Sequence, residues 1–538
     1  MISRKEFLRR GAATVGAVVL GSRLRAQTRD TRPNILFVCM DQLRSLADVP
    51  ERLPLPTLRR LEREGRKFSN YHVHQAPCGP SRATFYTGQH VQKTGMYTNP
   101  PGEFAVYSPD APRGLELKAG FPTIGSMLRE QGYYTAYKGK WHLSVINQKL
   151  GAGRFPDATN ALEPYGFSDY NYDGEHTGLV WVGFGHDGAV AADSVNLMQR
   201  FAAGSTQGKP WFLAVNFVNP HDIMFFDAEG DGGGLLGTPT LRAPGTPLYE
   251  KDWGFDLPRS YRADDLQTKP AVQRAFRALD EQQLRVYQNY YFNCIRDVDQ
   301  HIGTLLAALT RLGLADNTVV VVTADHGERG AAHGGMLGKG ADIYKETVRV
   351  PLIVRHPDAR GGATDALAGG IDLAPTLLAF AGLDAAARTQ RYPDLHGVDL
   401  SAAIAEPRAR TARDERGILF NYTVPPGGAV GPDGPVATNI TRGLIRGVFD
   451  GRYRFGRYFR VTDHHVPRDW DTLTTRNDLE LYDTTADADE IANLAAQPEA
   501  HRTELLALNA KTNALVESEI GADDGAMYPG PTAAYGAT

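Results

Sequence analysis

Four polar clusters stand where apolar runs stop. The run 34–40 (NILFVCM) ends in Asp41, and the run 318–324 (TVVVVTA) ends in Asp325. The run 211–217 (WFLAVNF) leads to Asn219, Pro220 and His221, and the shorter 133–137 leads to Lys138, Gly139, Lys140, Trp141 and His142. Carboxylates gathered in this way suit a hard divalent cation, and lysines and histidines beside them can neutralise an anion or carry protons. Of the three cysteines, Cys39 and Cys294 sit in apolar strand-like and helix-like settings and read as buried thiols, with one bridge between them as the alternative. So few cysteines exclude a disulfide framework. Cys78 differs, because it stands at a proline turn, Cys78-Gly79-Pro80-Ser81-Arg82.

Elements that would position these groups follow from pattern. Continuous apolar runs of this length are expected for strands buried on both faces of a parallel sheet. Helical stretches are predicted at 56–65, 121–131, 190–203 and 280–312, and the alternation implies a doubly wound α/β architecture. In such sheets ligands bind outside the carboxyl ends of the strands, so the four clusters are expected to share one crevice. Residues 225–268 are rich in Gly, Pro and Asp, lack periodicity, and are read as a loop over the site. From about Arg388 the pattern becomes polar, with strand-like stretches at 443–449 and 451–459 and a helix at 498–520, which predicts a smaller antiparallel sheet with a helix packed on it. A length of 538 residues exceeds what one core accommodates. The expected organisation is a catalytic domain at 33–387, a C-terminal α+β subdomain at 388–522 and a tail at 523–538.

A net charge of -4 with a pI near 6.4 leaves no basic footprint for nucleic acid. The N-terminus reads SRKEFLRR from Ser3 to Arg10, followed by an apolar stretch at 11–20. That order predicts an export signal over 1–27, cleaved near Ala26. The apolar stretch is too short for a membrane span, which takes about 20 residues. Lys5 stands where a twin-arginine signal has its second arginine, which leaves the choice of translocon open; a periplasmic destination with no transmembrane anchor is expected.

CGPSR, continued as ATFYTG to Gly88, resembles the signature of the formylglycine-dependent sulfatases of the alkaline phosphatase superfamily, and further matches run from Pro33 to about Ala495. The resemblance implies an alkaline phosphatase-like sheet and a dedicated maturation enzyme that oxidises Cys78 to formylglycine. It also implies a nucleophile in which one hydroxyl of the aldehyde hydrate attacks sulfur while deprotonation of the other expels sulfate. By the same resemblance Asp41 and Gln42, with Asp325 and His326 from TADHGE (323–328) and the modified Cys78, hold one divalent metal. Arg82 anchors the hydrate and the metal ligands. Lys140 and His142 in GKWHL contact the sulfate and take the proton that releases it. His221 in NPHD and Lys339 in GMLGKG serve the leaving oxygen, and Asn99 matches a substrate-binding asparagine. His333 follows the family's second histidine after DHG, in an altered loop.

Many sulfatases carry aspartate at Gln42 and asparagine at His326. The pair found here resembles the branch of choline sulfatases and phosphonate monoester hydrolases. The family favours Ca2+, and the imidazole keeps Mn2+ as the alternative. The implied substrate is a small-molecule or saccharide sulfate ester, with Trp181, Phe184, His186 and the 225–268 insertion as candidate selectors. Two rivals remain open: a phosphonate monoester or phosphodiester hydrolase using the same nucleophile, and a binding protein whose Cys78 is never oxidised. The segments 344–357, 372–383 and 480–495 resemble family scaffold.

Overall fold

The apolar runs are strands, and burial on both faces explains their composition. In the computed structural model, which describes residues 32–100, 116–144, 146, 160–170, 180–232, 234–235, 238–274, 279–424, 430–431, 434–435, 442–460 and 466–521, a seven-stranded sheet forms the centre. The predicted export signal and the tail from 523 onward lie outside these residues. Across the sheet the order is Gly362–Gly369, Arg66–His72, Leu352–Arg355, Thr318–Ala324, Asn34–Asp41, Trp211–Pro220 and Tyr134–Gly139. All neighbouring pairs are parallel except those made by Leu352–Arg355. Met40 pairs with Ala324, which sets Asp41 and Asp325 side by side at the carboxyl edge. Cys39 and Gly139 both flank Asn216. Gly139 has φ 83°, and a Cβ there would lie 2.0 Å from the Asn216 carbonyl oxygen, so glycine lets the strand end close on its neighbour.

The helix Glu281–Arg311 begins at a capping box, with the Asp280 carboxylate accepting from the Gln283 N–H at 2.8 Å and the Gln283 side chain accepting from Asp280. It packs on the Trp211–Pro220 strand and on the helix Val182–Ala202. The latter starts eight residues before its predicted beginning at 190. Its first turns carry Gly183, Gly185 and Gly188, which argue locally against a helix. Both oxygens of the buried Asp222 carboxylate supply the missing cap, accepting from Gly183 and Phe184 N–H at 2.8 and 2.9 Å. The 225–268 insertion is laid along the Glu281–Arg311 helix: Trp253 donates to Asn289 and Asn293, and Asn293 donates to the Tyr249 and Lys251 carbonyls. Cys39 and Cys294 are buried free thiols, as expected. No single helix among the described residues is long and apolar enough to cross a membrane.

A second sheet runs Asp478–Asp483, Tyr453–Phe459, Leu444–Phe449, Ile418–Tyr422, and ends on Gln75–Ala76. The helix Arg502–Leu515 packs on it through Leu505, Leu508 and Leu515 against Leu419, Val448, Phe455 and Leu481. Buried charges fasten the C-terminal region to the main core. Arg413 meets Asp372 at 2.6 Å and also pairs with Glu519, and Glu519 takes His90 Nε2 at 2.9 Å.

His333 lies among such fasteners. Its Nδ1 is 2.6 Å from Asp264, its Nε2 is 3.2 Å from Glu346, and its ring stacks on Tyr344 at 3.8 Å. Burial opposes the charged ring, but Glu346 and Asp264 override it and raise the imidazolium to about 9. A histidine held above its ordinary value contributes stability that is complete below about pH 6.5 and is lost as pH rises through about 9. His333→Gln is therefore expected to lower stability at pH 6 by about 3 kcal/mol. It should also remove much of the wild type's loss between pH 6.5 and 9. Urea midpoints measured across that range check both, and an unchanged pH slope would contradict the assignment.

Candidate active site

Cys78 opens the helix Cys78–Thr87 at the carboxyl edge of the main sheet. The chain reaches it through Gln75–Ala76, which pair with Asn421 and Tyr422 of the second sheet. Gly79 makes the approach possible, since a Cβ there would lie 2.9 Å from Pro100 and 3.2 Å from both Asn99 Oδ1 and the His142 carbonyl oxygen. Asn99 Oδ1 accepts the Gly79 N–H at 2.9 Å, so this side chain caps the cysteine's own helix.

Asp41, Cys78, Asp325 and His326 converge, with one potential ligand atom from each lying within 4.8 Å of the others. Cys78 Sγ is 3.1 Å from His326 Nε2 and 3.6 Å from Asp41 Oδ1. His326 Nε2 is 3.5 Å from Asp41 Oδ1 and 3.7 Å from Asp325 Oδ1. Ligands of one hard cation stand about 3 to 3.5 Å from each other, so two carboxylates, an imidazole and the position-78 side chain fit a divalent ion. His326 Nδ1 lies 2.9 Å from the Gly327 carbonyl, which can only accept. The proton therefore sits on Nδ1 and the Nε2 lone pair faces the cluster.

Fully buried Arg82 donates from Nε to Asp325 Oδ2 at 2.8 Å and from Nη1 to the Lys140 carbonyl at 2.9 Å and Asn216 Oδ1 at 3.2 Å. Ser81 Oγ donates to the Asp325 carbonyl, and Lys140 Nζ pairs with Asp41. Burial alone would raise the Asp41 carboxyl, but Lys140, His221 and Arg82 hold it well below the usual range. Burial and Asp41 push the Cys78 thiol up, while Lys339, Lys140 and His326 together bring it below its ordinary value. Both His142 and His221 are buried and pushed well down, chiefly by burial, then by Lys140 for the first and Lys339 for the second. The NPH segment is held from below by the buried Asp187 carboxylate, which accepts from Val218 and Asn219 N–H at 2.8 Å each.

Gln42 Nε2 donates to Glu328 Oε2 at 2.5 Å, and its Oε1 accepts from Lys339 Nζ, also at 2.5 Å. Its amide thus bridges an acid and a base at the edge of the four converging groups. Glu328, to which no role was given from sequence, also accepts from Tyr287 OH and from Gly330 and Gly338 N–H, so it holds the turn that carries Lys339. Its only signal was position, directly after DHG. Asn216, also missed, lay inside an apolar strand run. His333 is not part of the cluster and is occupied by Asp264 and Glu346. Trp181, Phe184 and His186 lie at the start of the Val182–Ala202 helix, whose cap is the residue after His221.

A mostly parallel sheet that delivers two carboxylates, a buried lysine and buried histidines to one edge defines an α/β enzyme built around an anion. Residues 33–383 match the family model described as Sulfatase. The chain is 29% identical over 384 residues to the choline-sulfatase of Rhizobium meliloti (strain 1021), covering 65% of this chain and 68% of that one. It is 25% identical over 468 residues to the N-acetylglucosamine-6-O-sulfatase of Bacteroides thetaiotaomicron, covering 76% and 77%. Among solved structures, phosphonate monoester hydrolase SpPMH from Silicibacter pomeroyi superposes with a TM-score of 0.64 at 19% identity, covering 92% of this chain and 96% of that one, a likeness of fold. The chain belongs to the sulfatase family, and it is a sulfuric ester hydrolase.

The Gln42 bridge yields a reciprocal test. Gln42→Glu would set a second carboxylate against Glu328 and is expected to cost about 3 kcal/mol. Adding Glu328→Gln restores one donor and one acceptor at that contact, so the double variant should recover most of the loss in thermal denaturation. Losses that simply add would show that the two side chains do not interact.

Proposed function

We propose that the protein hydrolyses sulfate monoesters to an alcohol and inorganic sulfate, using formylglycine made from Cys78 and one divalent cation. The observation that carries this reading is the convergence of Cys78 Sγ on His326 Nε2 and Asp41 Oδ1 at 3.1 and 3.6 Å. When bound, the cation would polarise the sulfate oxygens and fix the nucleophile's orientation. Asp41, Asp325, His326 and the modified residue 78 would hold it, with Gln42 at the edge. Calcium is the family's choice, and the imidazole makes manganese the alternative. A formylglycine hydrate supplies the attacking hydroxyl and a second one whose deprotonation releases sulfate.

The chain's own groups support this chemistry. Arg82 pairs with both buried aspartates and Lys140 with Asp41, and this positive charge favours the ionised form of Asp41. His142, neutral because of burial and Lys140, is ready to take a proton. His221, neutral in the free site, gains affinity for a proton when an anionic ester enters, and can then return it to the departing oxygen. Lys339, half-buried beside Gln42, neutralises charge on the ester. Asn99 fixes the helix of residue 78 and contributes to substrate binding through that position. The N-terminal sequence is consistent with export to the periplasm after cytoplasmic maturation.

Two measurements test the reading. Protein produced with a formylglycine-generating enzyme should show the aldehyde in the Cys78 peptide by mass spectrometry and lose hydrolysis in Cys78→Ala. Full activity with an intact thiol would sink it. His221→Gln should slow an alkyl sulfate about 10²- to 10⁴-fold and 4-nitrophenyl sulfate far less, because a good leaving group needs no proton. Parallel assays with a phosphonate monoester of the same leaving group decide between sulfur and phosphorus.

A further inference from the structure

We infer that the protein carries a second metal site, a structural Zn2+ ion held by His74, His90 and Glu519 apart from the catalytic cluster. One potential ligand atom from each lies within 4.8 Å of the others, and all three residues are buried. Two imidazoles and one carboxylate are donors that suit zinc, whereas an all-oxygen set suits calcium. The three come from distant parts of the chain. His74 stands directly before Gln75–Ala76 on the approach to Cys78, His90 precedes the short helix Val91–Thr94, and Glu519 belongs to the turn Val516–Ile520 that follows the helix Arg502–Leu515. An ion among them would clasp the path to residue 78 to the C-terminal region.

Charge balance calls for a cation at this place. Arg413, Asp372 and Glu519 are buried together, and Arg413 is paired with both carboxylates. One guanidinium against two carboxylates leaves a negative charge uncompensated, which a dry interior does not tolerate. The missing charge is either an imidazolium or an ion that the imidazoles hold. His74 does not supply it: burial first, then His90 and Arg413, push its imidazolium well below the ordinary value, so the ring is neutral. Burial would raise the Glu519 carboxyl, but Arg413 and His90 hold it well below the usual range, so it is ionised.

The lone pairs and their supports are also in place. His74 Nδ1 lies 2.6 Å from the Leu419 carbonyl, which can only accept, so the proton is on Nδ1 and the lone pair on Nε2. That Nε2 is buried and has no hydrogen-bond partner among the described residues. A Cβ at position 369 would lie 2.2 Å from it, so Gly369 keeps the lone pair uncovered. His90 Nε2 is 2.9 Å from Glu519 Oε2, while Oε1 of the same carboxylate is taken by Arg413. Behind His90, the Asn421 amide nitrogen is 3.3 Å from Nδ1, and Asn421 Oδ1 is buried without a partner among the described residues. A half-turn of that amide gives Oδ1 the His90 Nδ1–H and frees the Nε2 lone pair. Each imidazole would then donate its other N–H to a carbonyl oxygen, the support that fixes a metal-bound histidine.

The test loads the full chain with Zn2+ and dialyses it against metal-free buffer. His74→Gln leaves the ligands of the catalytic cluster untouched, so plasma mass spectrometry should find about one zinc per chain fewer in this variant than in the wild type. Its zinc affinity at this site should fall at least about 100-fold. A chelator should lower the melting temperature of the wild type by several degrees more than that of the variant. Anomalous scattering at the zinc edge from wild-type crystals should place a peak among His74, His90 and Glu519, a readout that serves if His74→Gln does not fold. Equal zinc content in the two proteins, an equal effect of the chelator, or no zinc peak at these three residues would overturn the site and assign the missing charge to an imidazolium at His90. Neither result bears on the proposed hydrolysis, which has its own ligands and its own test.

Discussion

The active-site edge depends on a guanidinium taken wholly out of water. Arg82 is fully buried, and its partners come from separate strand ends: Asp41 and Asp325 on adjacent strands, the Lys140 carbonyl just past another, and Asn216 within a fourth. Removing such a charge from solvent costs several kcal/mol unless opposite charge is placed beside it. The arrangement is therefore tolerable only when the strands are in register. A slip of one residue between Asn34–Asp41 and Thr318–Ala324 would turn an aspartate to the opposite face and leave Arg82 facing a single carboxylate. Binding chemistry and fold accuracy are thus the same constraint.

The second sheet takes part in that constraint. Its last strand, Gln75–Ala76, is the chain leading to residue 78, and Gln75 Nε2 donates to Thr423 Oγ1 at 2.7 Å while Asn421 N–H donates to the His74 carbonyl at 2.8 Å. The C-terminal region consequently fixes one end of the helix that Cys78 opens, and Asn99 fixes its first turn. Arg413, with Asp372 on one side and Glu519 on the other, keeps the sheet from moving away. Glu328 does comparable work opposite, tying the Lys339 turn to Gln42 and to the long helix. Gln42 departs from the aspartate common in the family, and the bridge explains it: a neutral amide gives a donor to Glu328 and an acceptor to Lys339, which a carboxylate cannot do.

Legibility followed the range of the determining interactions. Strands 34–41 and 318–324 were evident because burial on both faces demands unbroken apolar runs, and the acids ending them were evident because polarity returns where the sheet stops. The segment around Cys78 was evident because its proline, glycine and arginine serve needs local to one turn and one helix. Helix 182–202 was misjudged at its start, since the residue that caps it is Asp222, beyond the helix and a whole strand away. How the insertion is held was not legible, because Asn289 and Asn293, which bond it, are ordinary helix residues in sequence.

Sequence alone determined the doubly wound sheet, the nucleophile candidate and the acids and bases at strand ends, because apolar run length, turn chemistry and motif spacing are properties of neighbouring residues. Tertiary structure decided which of them meet. It brought Asp41, Cys78, Asp325 and His326 within reach of one ion, gave Gln42 to Glu328 and Lys339, and assigned His333 to an ion network away from the cluster. Those outcomes depend on distances between groups up to nearly 300 residues apart, set by strand register and packing of charged side chains in a medium without water.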